Sequence, residues 1–224
     1  MASLTYRFAT MGSGKSAEII SVKQNYDENR TKGLILIPGI DTASKGKVKS
    51  RNGKSIKATS FDKNTNLFEL AKELIETGKK IEYVIVDESN FLTVEQVEQL
   101  GDIVDFLNIS VMAYGLLTDF QTDSFPGSKR LYEIADVKEE LTVRKLCHCG
   151  KKAIFNSRVV NGALVSEGEK VVIKDAGQEV KYVPLCRKCF KLGKWKKDSS
   201  NKNSKKNSYS KQKRNYRNNK KNKK

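Results

Sequence analysis

The sequence predicts an α/β protein in which helices flank a parallel β-sheet, followed by a small β-rich unit. Strand-sized apolar segments alternate with segments of helical periodicity from Leu4 to Tyr114, which indicates helical crossovers between parallel strands. Leu34–Ile37 and Tyr83–Val86 are apolar throughout, as expected of strands that are buried on both faces. After Leu141 the apolar segments shorten, so we expect a separate β-rich unit there.

The individual elements are predicted from apolar spacing and from turn residues. In the first unit they are a strand at Leu4–Thr10, a helix from Lys15 to about Asn29, strands at Leu34–Ile37 and Tyr83–Val86, helices at residues 67–75 and Thr93–Asn108, and a strand at Ser110–Tyr114. In the second unit they are strands at Ala153–Val160, Lys170–Ile173 and Lys181–Leu185. Thr93 with Gln96 three residues later is the pattern of a capping box. The segment Asp41–Lys57 is rich in Lys, Ser and Gly, and we expect it to form a long flexible loop.

The positive charge of the chain is concentrated at its C-terminal end. The 224 residues carry a net charge of +17, which by itself is typical of nucleic-acid-binding proteins. Residues 191–224 contain 15 Lys and Arg against one acid, so the first 190 residues carry only +3. The body therefore has the charge of an ordinary globular domain. The Lys- and Asn-rich tail has few apolar residues to bury and is predicted to be disordered.

Neither a membrane span nor a secretory signal is predicted. No apolar run approaches the roughly 18 residues of a membrane span, and Met1–Arg7 lacks the basic and apolar regions of a secretory signal. We expect a cytoplasmic protein without a membrane partner. All four cysteines form two close pairs late in the chain, and in a cytosolic protein such pairs favour metal binding over disulfides.

The segment Ala9–Ser16 has the spacing of a phosphate-binding P-loop, with Ala9 in place of the usual first glycine. Gly12 and Gly14 allow backbone N–H groups to approach phosphate oxygens, and the following helix adds positive charge at its N-terminus. Lys15 can reach the β- and γ-phosphates of ATP, and the Ser16 hydroxyl can bind Mg²⁺. A chance Gly/Ser turn is the alternative, but the strand before the loop and the helix after it favour ATP binding. The predicted ATP-binding residues in this segment are Ala9, Thr10, Met11, Gly12, Ser13, Gly14, Lys15 and Ser16.

Asp87 and Glu88 directly follow the apolar strand Tyr83–Val86. Ligands of open α/β sheets collect at the carboxyl ends of strands, so both acids are expected beside the P-loop. Neighbouring residues of a strand point to opposite sides. Asp87 then fits a Mg²⁺ ligand, and Glu88 fits a general base that takes a proton from an acceptor hydroxyl. Two alternatives stay open: a pair of solvated acids in a turn, and an ATPase in which Glu88 activates water.

Two cysteine pairs, Cys147 with Cys149 and Cys186 with Cys189, lie 37 residues apart (149 to 186). Short pairs connected by β-strands are typical of a structural Zn²⁺ site with four thiolates, whose closed coordination leaves no position for catalysis. His148 lies between two of these cysteines, and we expect it to point away. The alternatives are reduced cysteines without a metal, and a zinc ribbon that binds nucleic acid.

Several motifs, in this order, resemble the cytosolic type II thymidine kinases over the range from Leu4 to about Phe190. They are the P-loop Ala9–Ser16, whose first position is also not Gly in some bacterial members, Gly39-Ile40-Asp41, Asp87-Glu88-Ser89-Asn90-Phe91-Leu92, Tyr114-Gly115-Leu116 with Thr118-Asp119-Phe120, the cysteine pairs, and Val171-Val172-Ile173 through Tyr182. Each motif alone is weak, whereas the ordered set is highly specific. Val171 through Tyr182 resembles the lasso loop of the family. Three departures are Asn90 in place of a Gln, Ala43 where an Arg is common, and a lasso that is a few residues longer, with Lys174–Gly177 where a Gly-Gly turn is common.

The resemblance implies a RecA-like P-loop domain at residues 1–142 and a zinc-ribbon and lasso domain over the nucleoside site at 143–192. The disordered tail at 193–224 lies beyond the resemblance and is predicted from composition alone. The resemblance implies that ATP phosphorylates the 5′-hydroxyl of thymidine, and also of deoxyuridine, in a salvage step that supplies DNA synthesis. A homotetramer and feedback inhibition by thymidine triphosphate are implied as well.

The resemblance also implies a role for individual residues. Glu88 is the implied catalytic base, and Ser16, Asp87 and Asp41 are the implied Mg²⁺ ligands. Further implied ATP-binding residues are Asp87, Glu88, Ser89 and Asn90. The implied nucleoside-binding residues are Met11, Phe91, Leu116, Phe120, Asn156, Val172, Ile173, Lys174 and Tyr182, with Arg158 as a candidate for charge stabilisation. For Met11 and Leu116, a place in the apolar core is the alternative.

A nucleic-acid-binding ATPase or a zinc-ribbon adaptor is the competing interpretation, in which the basic tail is the binding element. Tyr209 and Tyr216 lie among its Lys and Arg residues, a weak pattern for base stacking. A solubilising extension is the simpler explanation of such a tail. Removal of the tail separates the two interpretations, because a kinase is expected to stay active without it, whereas a nucleic-acid-stimulated ATPase loses its stimulation.

Overall fold

The computed structural model of the chain describes residues 1–39, 46–142, 145–165, 167–168 and 179–196. Within these ranges the strands are β1 (Leu4–Phe8), β2 (Gly33–Pro38), β3 (Lys47–Lys49), β4 (Ser55–Lys57), β5 (Thr59–Phe61), β6 (Tyr83–Val86), β7 (Ser110–Gly115), β8 (Val137–Glu140), β9 (Phe155–Val160), β10 (Ala163–Val165) and β11 (Val180–Leu185). The α-helices are α1 (Lys15–Glu28), α2 (Leu67–Glu76), α3 (Val94–Leu107), α4 (Pro126–Ile134) and α5 (Arg187–Lys191).

A six-stranded sheet forms the centre of the first unit, in the order β5-β2-β6-β7-β1-β8. Every neighbouring pair of strands in it is parallel. The predicted α/β class with a parallel sheet is therefore confirmed. Because β6, β7 and β1 are adjacent, the segments that follow them emerge side by side at the carboxyl edge of the sheet, where ligands collect.

The inner strands β2, β6 and β7 are buried on both faces, as the continuous apolar strands predicted. Leu34 and Leu36 of β2 belong to one apolar cluster, which also contains residues of α2 and α3. Ile35 and Ile37, on the other face of the same strand, belong to a second cluster with Ile19 of α1. Alternate side chains of one strand thus enter two separate cores.

The start of α3 has the predicted capping box. The Thr93 hydroxyl accepts a hydrogen bond from the backbone N–H of Gln96 at 3.1 Å, and the Gln96 side-chain oxygen accepts one from the N–H of Thr93 at 3.2 Å. The two bonds satisfy N–H groups that the first turn of a helix leaves unpaired. They fix the start of the helix that covers one face of the sheet.

The prediction of a long flexible loop at Asp41–Lys57 was wrong for its described part. β3 and β4 form an antiparallel hairpin, and the N–H of Ser50 donates to the carbonyl of Lys54 across the turn at 2.9 Å. Val48 is fully buried in the same cluster as Ile19. The hairpin is held by Val48, by the partly buried Ile56, which packs against the same cluster, and by backbone hydrogen bonds. Its largely polar composition was therefore misleading. Residues 40–45 lie outside the described ranges.

The second unit contains a three-stranded antiparallel sheet in the order β10-β9-β11. The predicted strands Ala153–Val160 and Lys181–Leu185 correspond to β9 and β11. The predicted strand Lys170–Ile173 and tail residues 197–224 lie outside the described ranges. Besides the hairpin strands β3 and β4, the elements α4, β5 and β8 of the first unit and β10 of the second were not predicted. No helix in the described ranges combines the length and the apolar character needed to cross a membrane.

Candidate active site

The P-loop connects β1 to α1 at the carboxyl edge of the sheet. Gly12 and Gly14 have φ angles of 74° and 86°, in the left-handed region that favours glycine. Gly14 precedes α1 without a side-chain capping bond, so the N–H groups of the first turn can bind an anion. The strand, loop and helix that the motif requires are all present.

Lys15 is buried between the backbone of the P-loop and two carboxylates. The residue is only 7% exposed, and its Nζ lies 3.5 Å from the carbonyl oxygens of Ala9 and Thr10. Burial lowers the pKa of Lys15, while the charges of Glu88 and Asp87 act in the opposite direction. An ammonium group with so little hydration attracts an anion more strongly than one at the surface does.

Asp87 lies at the end of β6 with its carboxylate close to Ser16. The Ser16 hydroxyl donates to Oδ2 of Asp87 at 3.5 Å, and the N–H of Glu88 donates to Oδ1 at 2.9 Å. Burial, and then the charge of Glu88, raise the pKa of Asp87 to about 7. A hydroxyl and a carboxylate beside a phosphate-binding loop are oxygen ligands of the type that Mg²⁺ prefers. A divalent cation between them would favour the ionised carboxylate.

Glu88 has a left-handed backbone conformation, with φ of 49° and ψ of 40°. For a residue with a Cβ this conformation costs on the order of 1–3 kcal/mol, and such residues cluster at active sites. The backbone then enters a short 3₁₀ turn at Ser89–Phe91. The different surroundings of Asp87 and Glu88 therefore accompany a turn in the backbone, whereas the sequence had indicated simple alternation along a strand.

The end of β7 packs closely against residues 87–91, which we call the acidic turn. A Cβ on Gly115 would lie 2.6 Å from Oγ of Ser89 and 2.9 Å from the backbone nitrogen of Asn90, so the approach requires glycine. The N–H of Leu116 donates to the Asn90 side-chain oxygen at 3.0 Å. β7 thus holds the turn that carries Glu88, and Asn90 acts here through the backbone of Leu116.

A cavity of about 410 Å³ lies over the P-loop. Its lining residues come from the loop and α1, from the turn of the β3–β4 hairpin, from the acidic turn and from the end of β7, and they are Met11, Gly12, Gly14, Lys15, Ser16, Ala17, Lys49, Ser50, Arg51, Asn52, Glu88 and Leu116. Sequence reasoning missed the hairpin residues in this set. The signal that indicates them is Asn52-Gly53, a dipeptide typical of hairpin turns, between the apolar residues Val48 and Ile56.

The four cysteines lie together in the second unit. Their Sγ atoms are all within 4.8 Å of one another, and those of Cys149 and Cys186 are 3.7 Å apart. Four Zn–S bonds of about 2.3 Å in a tetrahedron separate the sulfurs by about 3.8 Å, so the cluster fits a zinc ion. A backbone hydrogen bond from Cys189 lowers the pKa of Cys186 to about 7, whereas burial raises that of Cys189 to about 12. Nε2 of His148 lies 3.0 Å from the carbonyl oxygen of Lys194, so the imidazole contacts the backbone there, as expected of a residue that points away from the thiols.

Residues 2–190 match the family model for thymidine kinase. The chain belongs to the thymidine kinase family. A thymidine kinase of Francisella tularensis subsp. tularensis (strain SCHU S4 / Schu 4) is 42% identical over 197 residues, which are 86% of this chain and 98% of that protein. One of Legionella pneumophila (strain Paris) is 42% identical over 195 residues, 86% of this chain and 91% of that protein. One of Enterobacteria phage T4 is 46% identical over 190 residues, 84% of this chain and 95% of that protein. The predicted family and the predicted enzyme class, a phosphotransferase, are confirmed.

The apolar residues that the family resemblance assigns to the nucleoside lie in two kinds of surroundings. Met11 and Leu116 line the cavity together with Glu88. Phe91 packs edge-on against Phe125, with ring centroids 5.9 Å apart. Phe120 is buried, and the guanidinium carbon of Arg158 lies 3.7 Å from its ring centroid. Asp41, Val172, Ile173 and Lys174 lie outside the described residues.

Strand β9 brings Asn156 of the second unit to the P-loop. Its side-chain oxygen accepts a hydrogen bond from the N–H of Met11 at 2.7 Å, and its side-chain nitrogen donates to the carbonyl of Thr118 at 3.3 Å. Tyr182 is half-buried on β11, in register with Arg158 of β9. Asn156 therefore joins the two units through the loop backbone, a contact that the sequence did not indicate.

Proposed function

We propose that the chain transfers the γ-phosphoryl group of ATP to the 5′-hydroxyl of thymidine, and also of deoxyuridine, giving ADP and the 5′-monophosphate. This is a salvage step that supplies DNA synthesis. The observation that carries the proposal is the cavity in which Lys15 of the P-loop and Glu88 line one space, in a chain of the thymidine kinase family. Thymidine as the acceptor follows from the names of the relatives.

ATP binds through the P-loop and the acidic turn in this proposal. Backbone N–H groups around Gly12 and Gly14 bind phosphate oxygens, and Lys15 binds the β- and γ-phosphates. The full set of proposed ATP-binding residues is Ala9, Thr10, Met11, Gly12, Ser13, Gly14, Lys15, Ser16, Asp87, Glu88, Ser89 and Asn90. Ser16, Asp87 and Asp41 are the proposed ligands of Mg²⁺, which would neutralise charge on the phosphates when bound.

Glu88 is the proposed general base. It accepts the proton of the 5′-hydroxyl as the hydroxyl oxygen forms its bond to the γ-phosphorus. The bond between that phosphorus and the bridging oxygen breaks, and its electron pair leaves with ADP. Lys15 and the N–H groups of the loop stabilise the charge that moves onto the phosphate oxygens. The half-buried position of Glu88 at the cavity is consistent with this role.

The nucleoside is proposed to bind between the two units. Met11, Phe91, Leu116 and Phe120 are proposed to surround the thymine ring. The other proposed contacts are Asn156, Val172, Ile173, Lys174 and Tyr182. Zn²⁺ is proposed to be held by Cys147, Cys149, Cys186 and Cys189, where it would fix the second unit without taking part in the reaction.

Other expectations of the sequence stay proposals of the same kind. They are the division into residues 1–142, 143–192 and 193–224, the homotetramer, inhibition by thymidine triphosphate and a cytoplasmic location. The family resemblance supports each of them, and none is needed for the reaction proposed above.

An assay of the full chain with labelled ATP, Mg²⁺ and separate nucleosides tests the function. We expect labelled 5′-monophosphate from thymidine and from deoxyuridine, separated by chromatography, and a much lower yield from deoxycytidine. Omission of Mg²⁺ is the control, and it should abolish product formation. Binding of ATP without phosphorylation of any of the three nucleosides would contradict the proposal.

A further inference from the structure

The turn of the β3–β4 hairpin places Arg51 directly against the P-loop. A Cβ added to Gly12 would lie 3.0 Å from one terminal nitrogen of the Arg51 guanidinium, 3.2 Å from the other and 3.3 Å from its central carbon. Arg51 also lines the cavity that contains Lys15 and Glu88. The N–H groups around Gly12 are those that hold phosphate oxygens in P-loop proteins. A guanidinium in contact with Gly12 is therefore within reach of the same oxygens.

The positive charge of the Arg51 guanidinium is not neutralised by a partner in the described part of the chain. Across the described part of the chain, Arg51 forms no ion pair and no hydrogen bond through its side chain. Arg51 and Lys15 line the same cavity, and the charge of Arg51 adds to the effect of burial in lowering the pKa of Lys15. Two cations that line one cavity favour an anion in the space between them.

The position of Arg51 is fixed by the hairpin on which it lies. Val48, three residues earlier, is fully buried in the core cluster beside α1. Within the turn, the N–H of Gly53 donates to the carbonyl of Ser50 at 3.1 Å, and the N–H of Ser50 donates to the carbonyl of Lys54 at 2.9 Å. At the base of the hairpin, the N–H of Ala58 donates to the carbonyl of Gly46 at 2.9 Å. This bonded turn carries the side chain at a defined place over the loop.

We propose that Arg51 contacts the transferred phosphoryl group and stabilises its charge in the transition state. The inference rests on the proposed function, because it needs a phosphoryl group at the P-loop. A guanidinium suits this task since it stays charged and presents several N–H donors in one plane to phosphate oxygens. An arginine supplied in this way by the same chain is an established means of accelerating phosphoryl transfer.

Arg51→Ala and Arg51→Lys test the proposal in the full chain, with Lys54→Ala on the same turn as the matched control. We measure kcat and KM with ATP and thymidine, and the dissociation constant of ATP in the absence of nucleoside. Arg51→Ala should lower kcat by at least about a hundredfold while the dissociation constant of ATP changes by less than about tenfold. Arg51→Lys should recover part of this loss, and added guanidinium ion should partly restore Arg51→Ala. Lys54→Ala should keep kcat within about twofold of the parent chain.

A kcat of Arg51→Ala within about threefold of the parent chain overturns the proposal, as does a loss confined to the KM for ATP. Should Arg51→Ala melt well below the parent chain, Arg51→Lys decides instead. A tenfold or larger loss of kcat at an unchanged melting temperature supports the role of Arg51, and an unchanged kcat refutes it. These outcomes are distinct from failure of the proposed function, in which the parent chain itself phosphorylates no nucleoside.

Discussion

At the scale of single residues, Glu88 shows how local strain and function meet. Its left-handed backbone is unfavourable for glutamate, and the close approach of Gly115 to the acidic turn that contains Glu88 is one of the contacts that hold that turn. The sequence indicated that Asp87 and Glu88 have different tasks, because neighbouring residues at the end of a strand point to opposite sides. It could not indicate the turn that separates them, because that turn depends on packing against β7, which lies far along the chain.

Glu88→Gln should abolish turnover and leave ATP binding nearly unchanged. Glutamine keeps the size of the side chain but cannot accept the proton of the 5′-hydroxyl, so kcat should fall by about 10²–10⁴-fold. Initial rates with thymidine and a titration of ATP binding measure the two effects separately. Near-normal turnover in this variant would remove Glu88 from the role of base.

The variant Asn156→Ala tests whether Asn156 positions the P-loop or contacts only the thymine ring of the nucleoside. Its removal leaves the N–H of Met11 without its 2.7 Å partner, which should cost roughly 1–3 kcal/mol and disturb the loop. We therefore expect an increase in the KM for ATP as well as in that for thymidine. An increase in the KM for thymidine alone would show that Asn156 contacts the thymine ring and does not position the P-loop.

At the scale of elements, the helices and strands that were predicted correctly are those whose stabilising residues are neighbours in the sequence. The capping box of α3 and the apolar strand β6 have local signals, and both were predicted. β8 was missed because Val137-Lys138-Glu139-Glu140 is exposed and joins the sheet through backbone pairing with β1. The hairpin was missed because each of its two short strands has one apolar residue that packs on the core, Val48 and Ile56. Its Asn52-Gly53 turn was the available signal, and the interpretation from composition overlooked it.

The cysteine cluster should hold about one zinc ion per chain, and removal of the zinc ion should destabilise the second unit. The apolar cluster around the thiols has only two buried residues besides three of the cysteines, Ala153 and Leu185, and its partly buried members are Leu164, Val183, Phe190 and Trp195. Without a metal this is a small core. Chelation, or the variant Cys149→Ser, should therefore lower the melting temperature and, through Asn156 on β9, raise the KM for ATP. Metal analysis and thermal unfolding measure this.

His148→Ala is the matched control for the zinc site, because the His148 ring contacts the carbonyl of Lys194 and lies outside the cluster of four thiols. This variant should keep its zinc and its melting temperature to within a few degrees. Loss of zinc from His148→Ala, or full retention of zinc by Cys149→Ser, would contradict the four-thiolate assignment.

At the scale of the whole molecule, the parallel order β6-β7-β1 brings three distant segments to one edge of the sheet. The P-loop and the acidic turn each follow one of these strands, which is why rules for α/β sheets could place the two together from the sequence. Leu116 follows the third strand, and its place in the site was implied by the family resemblance alone. The contribution of the hairpin and of β9 could not be predicted in this way, since both reach the P-loop by tertiary packing. The family comparison then separates a kinase from a general ATPase, which the P-loop and two acids alone cannot do.

The most direct test of a nucleoside kinase is the simultaneous measurement of ADP and nucleoside 5′-monophosphate. It uses the full chain and a chain that ends at Lys196, each with ATP and Mg²⁺ in the presence and absence of thymidine. We expect equal amounts of the two products from both chains, and little ADP without thymidine. ADP that forms without 5′-monophosphate, or that depends on nucleic acid and on the tail, would contradict the proposed function and favour an ATPase.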